Sequence, residues 1–167
     1  GRQGPQAAAR EWRAQCLAEK VQRLEARKGS RKVRYDRVIA CLGHQADDSV
    51  ETVVLKLLRG TGAASLTGIA PISSDRNGVT KIRPLLPYSK SDLIKYVVEV
   101  GGDWREDASN ADPTRYRRNG VRQRLVPVLQ DLCGSPSALV DRIAELSYQN
   151  QMVADFVEQA LASLDAK

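Results

Sequence analysis

Residues 37–59 read RVIACLGHQADDSVETVVLKLLR, and the two halves of this stretch follow different periods. Val38 to Leu42 is a continuous apolar run, the pattern of a strand buried on both faces of a parallel sheet, and residues 37–42 are assigned to it. From Asp48 onward Val50, Val53, Val54, Leu57 and Leu58 recur at i, i+3, i+4, i+7 and i+8, which predicts a helix over 48–59. On that helix Asp48, Glu51, Thr52 and Arg59 share the face opposite the valines and leucines, with Leu55 the one apolar residue among them. A strand, a short turn and a polar-faced helix place these groups at the carboxyl end of a parallel strand, where open α/β sheets bind ligands. The helix N-terminus also offers free N–H groups and a partial positive charge to an anion.

The same residues have a plainer reading. Asp48-x-x-Glu51 has the form of a capping box, and acids in a first turn stabilise the helix dipole. Asp47 fits as the turn or cap residue, and from the residues alone a capped, solvated first turn and a binding site stand equally open. His44 beside Asp47 and Asp48 is a poor ligand set for a transition metal, so no metal site is assigned.

Outward from this centre, residues 6–28 predict a surface helix and Ser30 to Arg34 a basic connection. Residues 61–80 are rich in Gly, Ser, Pro and Asn and read as loop, followed by an extended Lys81–Leu86. Helices are predicted over Ser89–Val100, Asn119–Leu132 and Ser135–Leu164. The 113–124 segment, PTRYRRNGVRQR, carries five arginines and no acid, suited to phosphate or carboxylate, or to a solvated helix start. Upstream, WREDASNAD has the outline of an acidic metal-binding loop, although Asp107-x-Ser109-Asn110 is ordinary turn chemistry.

Composition bounds the rest. The chain has 167 residues, 42% hydrophobic and 28% charged, as in a soluble globular protein of one domain with a helical extension. No apolar run is long enough to span a membrane. Three cysteines, with no Cys-x-x-Cys pair, predict neither a disulfide framework nor a zinc site. The net charge of +6 favours a polyanionic partner. The chain opens on Gly1, which reads as a processed or partial chain.

Five blocks in order carry a family resemblance: AREWR (9–13), GHQADDSVETVVLKLLRGTG (43–62), IRPLL (82–86), WREDASN (104–110) and RRNGVRQRLVPVL (117–129). Together they resemble the tRNA(Ile)-lysidine synthetases, N-type ATP pyrophosphatases of the PP-loop group. Two positions depart from the family pattern: Gln45 stands where a second His is common, and Ala14 where a Tyr is usual.

The resemblance implies an α/β fold, part of a Rossmann-like parallel-sheet ATP pyrophosphatase domain over residues 1–131, followed by a helical arm over 132–167. It implies ATP-dependent ligation of lysine to C2 of the wobble cytidine of tRNA(Ile) with a CAU anticodon, through an adenylated intermediate, with Mg2+ travelling with ATP. Asp48, His44 and Arg13 are then the catalytic candidates. Glu51, Thr52, Arg59, Arg118, Asn119 and Arg122 are candidates for binding lysine, tRNA or ATP. A bacterial cytoplasm or an organelle is the implied compartment, and a homodimer is compatible with the pattern. The family's pyrophosphate loop, Ser-Gly-Gly-x-Asp-Ser, does not occur among these residues, and Gly101-Gly102-Asp103 follows a helix and lacks the serines. The expectation is a segment inactive alone, completed by that loop in cis or in trans. Two rivals are a PP-loop enzyme that thiolates tRNA and a non-catalytic basic module that binds tRNA.

Overall fold

Helix α1, Pro5–Glu25, turns one narrow face inward: Ala18 and Val21 are buried, with Leu17 half-buried beside them. A computed structural model of the chain describes residues 5–27, 37–106, 112 and 116–165. The basic connection at 30–34 and the turn at Asp107–Asn110 lie outside the described residues. The chain divides into two units, residues 1–43 with 71–84, and residues 44–70 with 85–167.

In the first unit α1 packs on a small sheet of β1 (Ala40–Cys41), β2 (Ile72–Ser74) and β3 (Thr80–Ile82) in the order β1-β3-β2. β1 runs parallel to β3, with Ala40 opposite Lys81 and Cys41 opposite Ile82, and the Leu42 amide donates to the Ile82 carbonyl at 2.9 Å. β2 and β3 form an antiparallel hairpin. The parallel pairing agrees with the apolar run, but the strand is shorter than residues 37–42. β1 is at the end of the sheet order, and Ile39 is 42% exposed, so the run is not covered on both faces among the described residues. β2 falls in the segment expected to be loop, because its Ile-Ser-Ser sequence gives no alternation to detect.

Asp75 closes the hairpin. One carboxylate oxygen accepts from the Asn77 and Val79 amides at 2.9 and 3.1 Å, and the other meets Lys81 Nζ at 2.6 Å. Gly78, at φ 75, supplies the left-handed step of the turn. The Lys81 hydrogen bond, helped by the two amides, holds the Asp75 carboxyl below its ordinary 3.8. A depressed carboxyl contributes stability above its unfolded pKa and loses it as pH falls through the folded value. Asp75→Asn is therefore expected to cost roughly 2 kcal/mol at neutral pH. In urea titrations the gap between parent and variant should close progressively below the ordinary carboxylate range near 3.8; a gap constant down to strong acid would rule this out.

The second unit is helical. Its core joins Val50 and Val54 of α2 (Ala46–Leu57) to Val121, Val126 and Leu139, with Leu55 packed against them. Leu55 thus joins the core, whereas Leu57 and Leu58 are 61% and 55% exposed, because the last turn of α2 runs past the packed layer. The loop after α2 is tied down by backbone contacts. Lys56 Nζ donates to the Thr67 carbonyl at 2.7 Å, Asn150 Nδ2 to the Leu66 carbonyl at 3.1 Å, and Ser147 Oγ accepts from the Gly68 amide at 2.9 Å. Gly68 fits closely: an added Cβ would meet Ser49 Cβ at 3.1 Å.

Helix α3, Lys90–Glu99, is started by a Ser89–Asp92 capping box and ended at Gly101 with φ 69. The predicted helix over Asn119–Leu132 is α4 (Arg117–Gly120), a π-helical segment (Val121–Leu125) and α5 (Val126–Cys133) in succession. Pro127 explains the change of register: it brings no N–H to the ladder and its ring crowds the preceding turn. Helix α6, Pro136–Asp165, buries Leu139 at its start. Its apolar stripe continues past the packed part, leaving Met152, Val153, Phe156, Val157, Leu161 and Leu164 exposed. Among the described residues no helix is long and apolar enough to cross a membrane.

Candidate functional site

The first turn of α2 is capped by Gln45, three residues before the Asp48-x-x-Glu51 box read from the sequence. The Gln45 side chain accepts from the Asp47 amide at 2.9 Å, and Asp48 Oδ2 accepts from the Gln45 amide at 3.1 Å, the two halves of a capping box. Asp47 is not the cap. Its carboxylate reaches the N-terminus of α3, accepting from the Lys90 amide at 2.7 Å, and the Ala46 amide donates to the Tyr88 carbonyl at 2.8 Å. Asp48 is then the box acid and Glu51 is free of that duty, although three residues apart they still line one face of the helix.

Across from that face lie Arg118 and Arg122, four residues apart on the α4 and π-helical segment, so both guanidiniums point the same way. Arg118 Nε donates to Glu51 Oε2 at 2.5 Å, and Arg122 Nε to Glu51 Oε1 at 2.5 Å. Arg122 Nη2 also reaches Glu51 Oε2 at 3.1 Å, and Arg118 Nη2 reaches Asp48 Oδ1 at 3.2 Å. Glu51 is only 1% exposed. A carboxylate so placed loses several kcal/mol of hydration, and three charge-assisted bonds from two arginines offset that loss. The Glu51 carboxylate in turn holds the Arg122 guanidinium above its ordinary value.

Two acids and two guanidiniums balance in charge, yet the arginines are not enclosed: their side chains are 42% and 37% exposed. Among the described residues no partner engages either Nη1, so each arginine presents an outward N–H edge while its inner edge is locked. Such a cluster can receive a molecule that carries both charges. An incoming carboxylate or phosphate meets the outer guanidinium edges, and an incoming ammonium competes for Asp48.

The other candidates fall at varying places. Asn119 is buried beside Arg118, its Nδ2 donating to the Asp112 carbonyl at 2.9 Å, so it shapes the start of α4. Thr52 Oγ1 donates back to the Asp48 carbonyl at 2.7 Å. His44 is half-buried one residue before the cap. Arg59 is exposed beyond the C-terminal end of α2, about 16 Å along the axis from Asp48, and does not join the cluster. Arg13 belongs to the first unit, exposed on α1, its Nε donating to the Ala9 carbonyl at 3.2 Å. Arg115 lies outside the described residues. The helix over Ser89–Val100 agrees with α3, but its contact with Asp47 was not foreseen, since 43 positions separate Asp47 from Lys90 and no local pattern pairs them.

Magnesium, which the resemblance brings with ATP, was tested against these donors. Both Glu51 oxygens take arginine, Asp48 takes Gln45 and Arg118, and Asp47 takes the Lys90 amide. Among the described residues no group of three or more His, Cys, Asp or Glu side chains is placed to hold a metal ion. The donor set does not fit a magnesium cage.

A PP-loop domain model matches residues 2–129 of the chain. The chain is 34% identical over 170 residues to the tRNA(Ile)-lysidine synthase of Actinobacillus succinogenes, covering 89% of this chain and 39% of that protein. It is 37% identical to the one of Vibrio campbellii, over 88% of this chain and 30% of that protein. It is 40% identical to the one of Vibrio parahaemolyticus, over 68% of this chain and 25% of that protein. The chain therefore spans well under half the length of these curated relatives. With the family model running unbroken from α1 through the arginine-bearing helix to α5, the chain belongs to the PP-loop domain family.

Proposed function

We propose that the chain is the lysine-binding part of a tRNA(Ile)-lysidine synthase. The supporting observation is the charge-balanced cluster of Asp48, Glu51, Arg118 and Arg122, whose outer guanidinium edges and one partly exposed acid suit an amino-acid zwitterion. The relatives at 34–40% identity carry the name tRNA(Ile)-lysidine synthase, which supports a lysidine-forming reaction. In it the O2 oxygen of the wobble cytidine attacks the α-phosphorus of ATP and pyrophosphate leaves. The ε-amine of lysine then attacks C2, loses a proton, and AMP leaves with that oxygen. Asp48 takes a lysine ammonium and Arg118 and Arg122 take the carboxylate, with Glu51 anchoring both arginines from beneath. Arg13 and Arg59 contact phosphates of ATP or tRNA, and Thr52 and Asn119 shape the pocket. His44 touches the cytosine or moves the proton.

Residues 1–131 form part of a Rossmann-like catalytic domain and 132–167 a helical arm. The Ser-Gly-Gly-x-Asp-Ser loop comes from polypeptide outside these residues, in cis or from a partner. ATP with Mg2+ is the co-substrate, and a bacterial cytoplasm or an organelle the setting. The test is incorporation of labelled lysine into a tRNA(Ile) transcript with a CAU anticodon by the full-length protein. Incorporation that needs both ATP and that cytidine is expected. Sulfur transfer in its place, or tRNA binding with no ATP–pyrophosphate exchange, overturns the reading.

A further inference from the structure

The outward face of α1 belongs to none of the groups used so far except Arg13. Arg13, Cys16, Lys20, Arg23 and Arg27 follow one another at intervals of three and four, so they form a single row along the helix and the turn that ends it. All are exposed, and the row lies away from the buried Ala18 and Val21. It places four cations over about 21 Å. Trp12, 66% exposed, stands beside the head of the row, on the side away from the core. Lys20 and Arg27 meet no acid among the described residues, and Arg23 meets only Glu19, at 4.0 Å with both side chains largely in water. An exposed pair of that kind contributes little, so the row is not neutralised from within. A surface helix needs none of this: a tryptophan in water forgoes burial, and cations in one row repel one another.

We propose that this row is a docking surface for the phosphate backbone of the tRNA, with Trp12 as a stacking platform for an unpaired base. The inference rests on the tRNA reading above. Linear cation rows match the regular spacing of a phosphate backbone, and base–aromatic stacking tolerates any base. The row is thus a positioning surface, set apart in role from the lysine cluster.

The experiment measures binding of the tRNA(Ile) transcript to the full-length protein against salt concentration. Lys20→Gln/Arg23→Gln/Arg27→Gln is compared with Arg76→Gln/Lys95→Gln/Arg142→Gln, which removes the same charge from exposed sites elsewhere. The first triple should weaken binding roughly 10- to 100-fold at 0.1 M salt and flatten the salt slope by about 2 to 3. The control triple should move the slope by less than about 1. In a Cys41→Ser/Cys133→Ser background, tRNA should slow alkylation of Cys16, and Trp12→Ala should weaken binding more than Trp12→Phe. Equal slopes for the two triples, or Cys16 alkylated at the same rate with and without tRNA, overturns the docking surface alone. A parent protein that binds no tRNA overturns the tRNA reading with it.

Discussion

Replacing Glu51 by alanine is expected to cost about 3–5 kcal/mol of stability, the largest effect of any single substitution in the second unit. The carboxylate is 1% exposed and takes the Nε hydrogens of both Arg118 and Arg122. Removing it leaves two guanidiniums facing each other over a cavity, with only Asp48 to share. The same deletion leaves a void where a fully buried side chain of α2 had been. For a domain of this size the loss corresponds to a fall in Tm of roughly 10 °C or more. Glu51→Gln keeps the shape and accepts one bond but not two charge-assisted ones, so it should lie between the parent and the alanine variant. The decisive comparison adds Arg118→Met and Arg122→Met to Glu51→Leu. Removing Glu51 together with both of its arginines should recover much of the loss, because the deficit of the single variant is the penalty of unpaired charge. A single Glu51→Ala variant within about 1 kcal/mol of the parent in urea unfolding would show that the pairing is loose in solution.

Much of this arrangement is legible in the sequence, and the reason differs by element. Helices α2, α3 and α6 announce themselves because apolar spacing and caps are local properties, and Ser89-x-x-Asp92 and Gly101 mark the limits of α3 correctly. The face carrying Asp48 and Glu51 follows from the same spacing. What those two acids touch does not, since Arg118 and Arg122 lie 67 to 74 positions away and only the fold brings them there. Each acid has a satisfactory local explanation as well, and a capping box and a buried ion pair look alike in sequence. The register of the box turned on Gln45, a residue the eye passes over in favour of the neighbouring aspartates. The sheet was least legible. β2 has no alternation, β1 is two residues of a longer apolar run, and the pairing of β1 with β3 spans about 40 residues of intervening chain.

Asp48→Asn and Arg118→Ala should each reduce lysine incorporation by about 100- to 1000-fold, for different reasons that one assay can separate. Asparagine keeps an oxygen that accepts from the Gln45 amide, so the capping box and the fold should survive Asp48→Asn nearly intact. What it loses is the negative charge, which the proposed site uses to hold an ammonium. The loss should then appear chiefly as a raised KM for lysine, with ATP–pyrophosphate exchange on the tRNA close to parental. Arg118→Ala leaves Glu51 to Arg122 alone and also removes the outer N–H edge offered to the lysine carboxylate. Added guanidinium should restore part of that activity by occupying the vacated place, whereas Arg118→Lys should not, since a lone ammonium cannot reproduce the fork that spans Glu51 and Asp48. Cadaverine, which has the reactive amine but no carboxylate, should discriminate poorly between the parent and Arg118→Ala, because the contact that distinguishes them is absent from that substrate. Near-normal lysine turnover by both variants would remove the cluster from substrate binding and leave it a purely structural joint between α2 and the arginine-bearing helix.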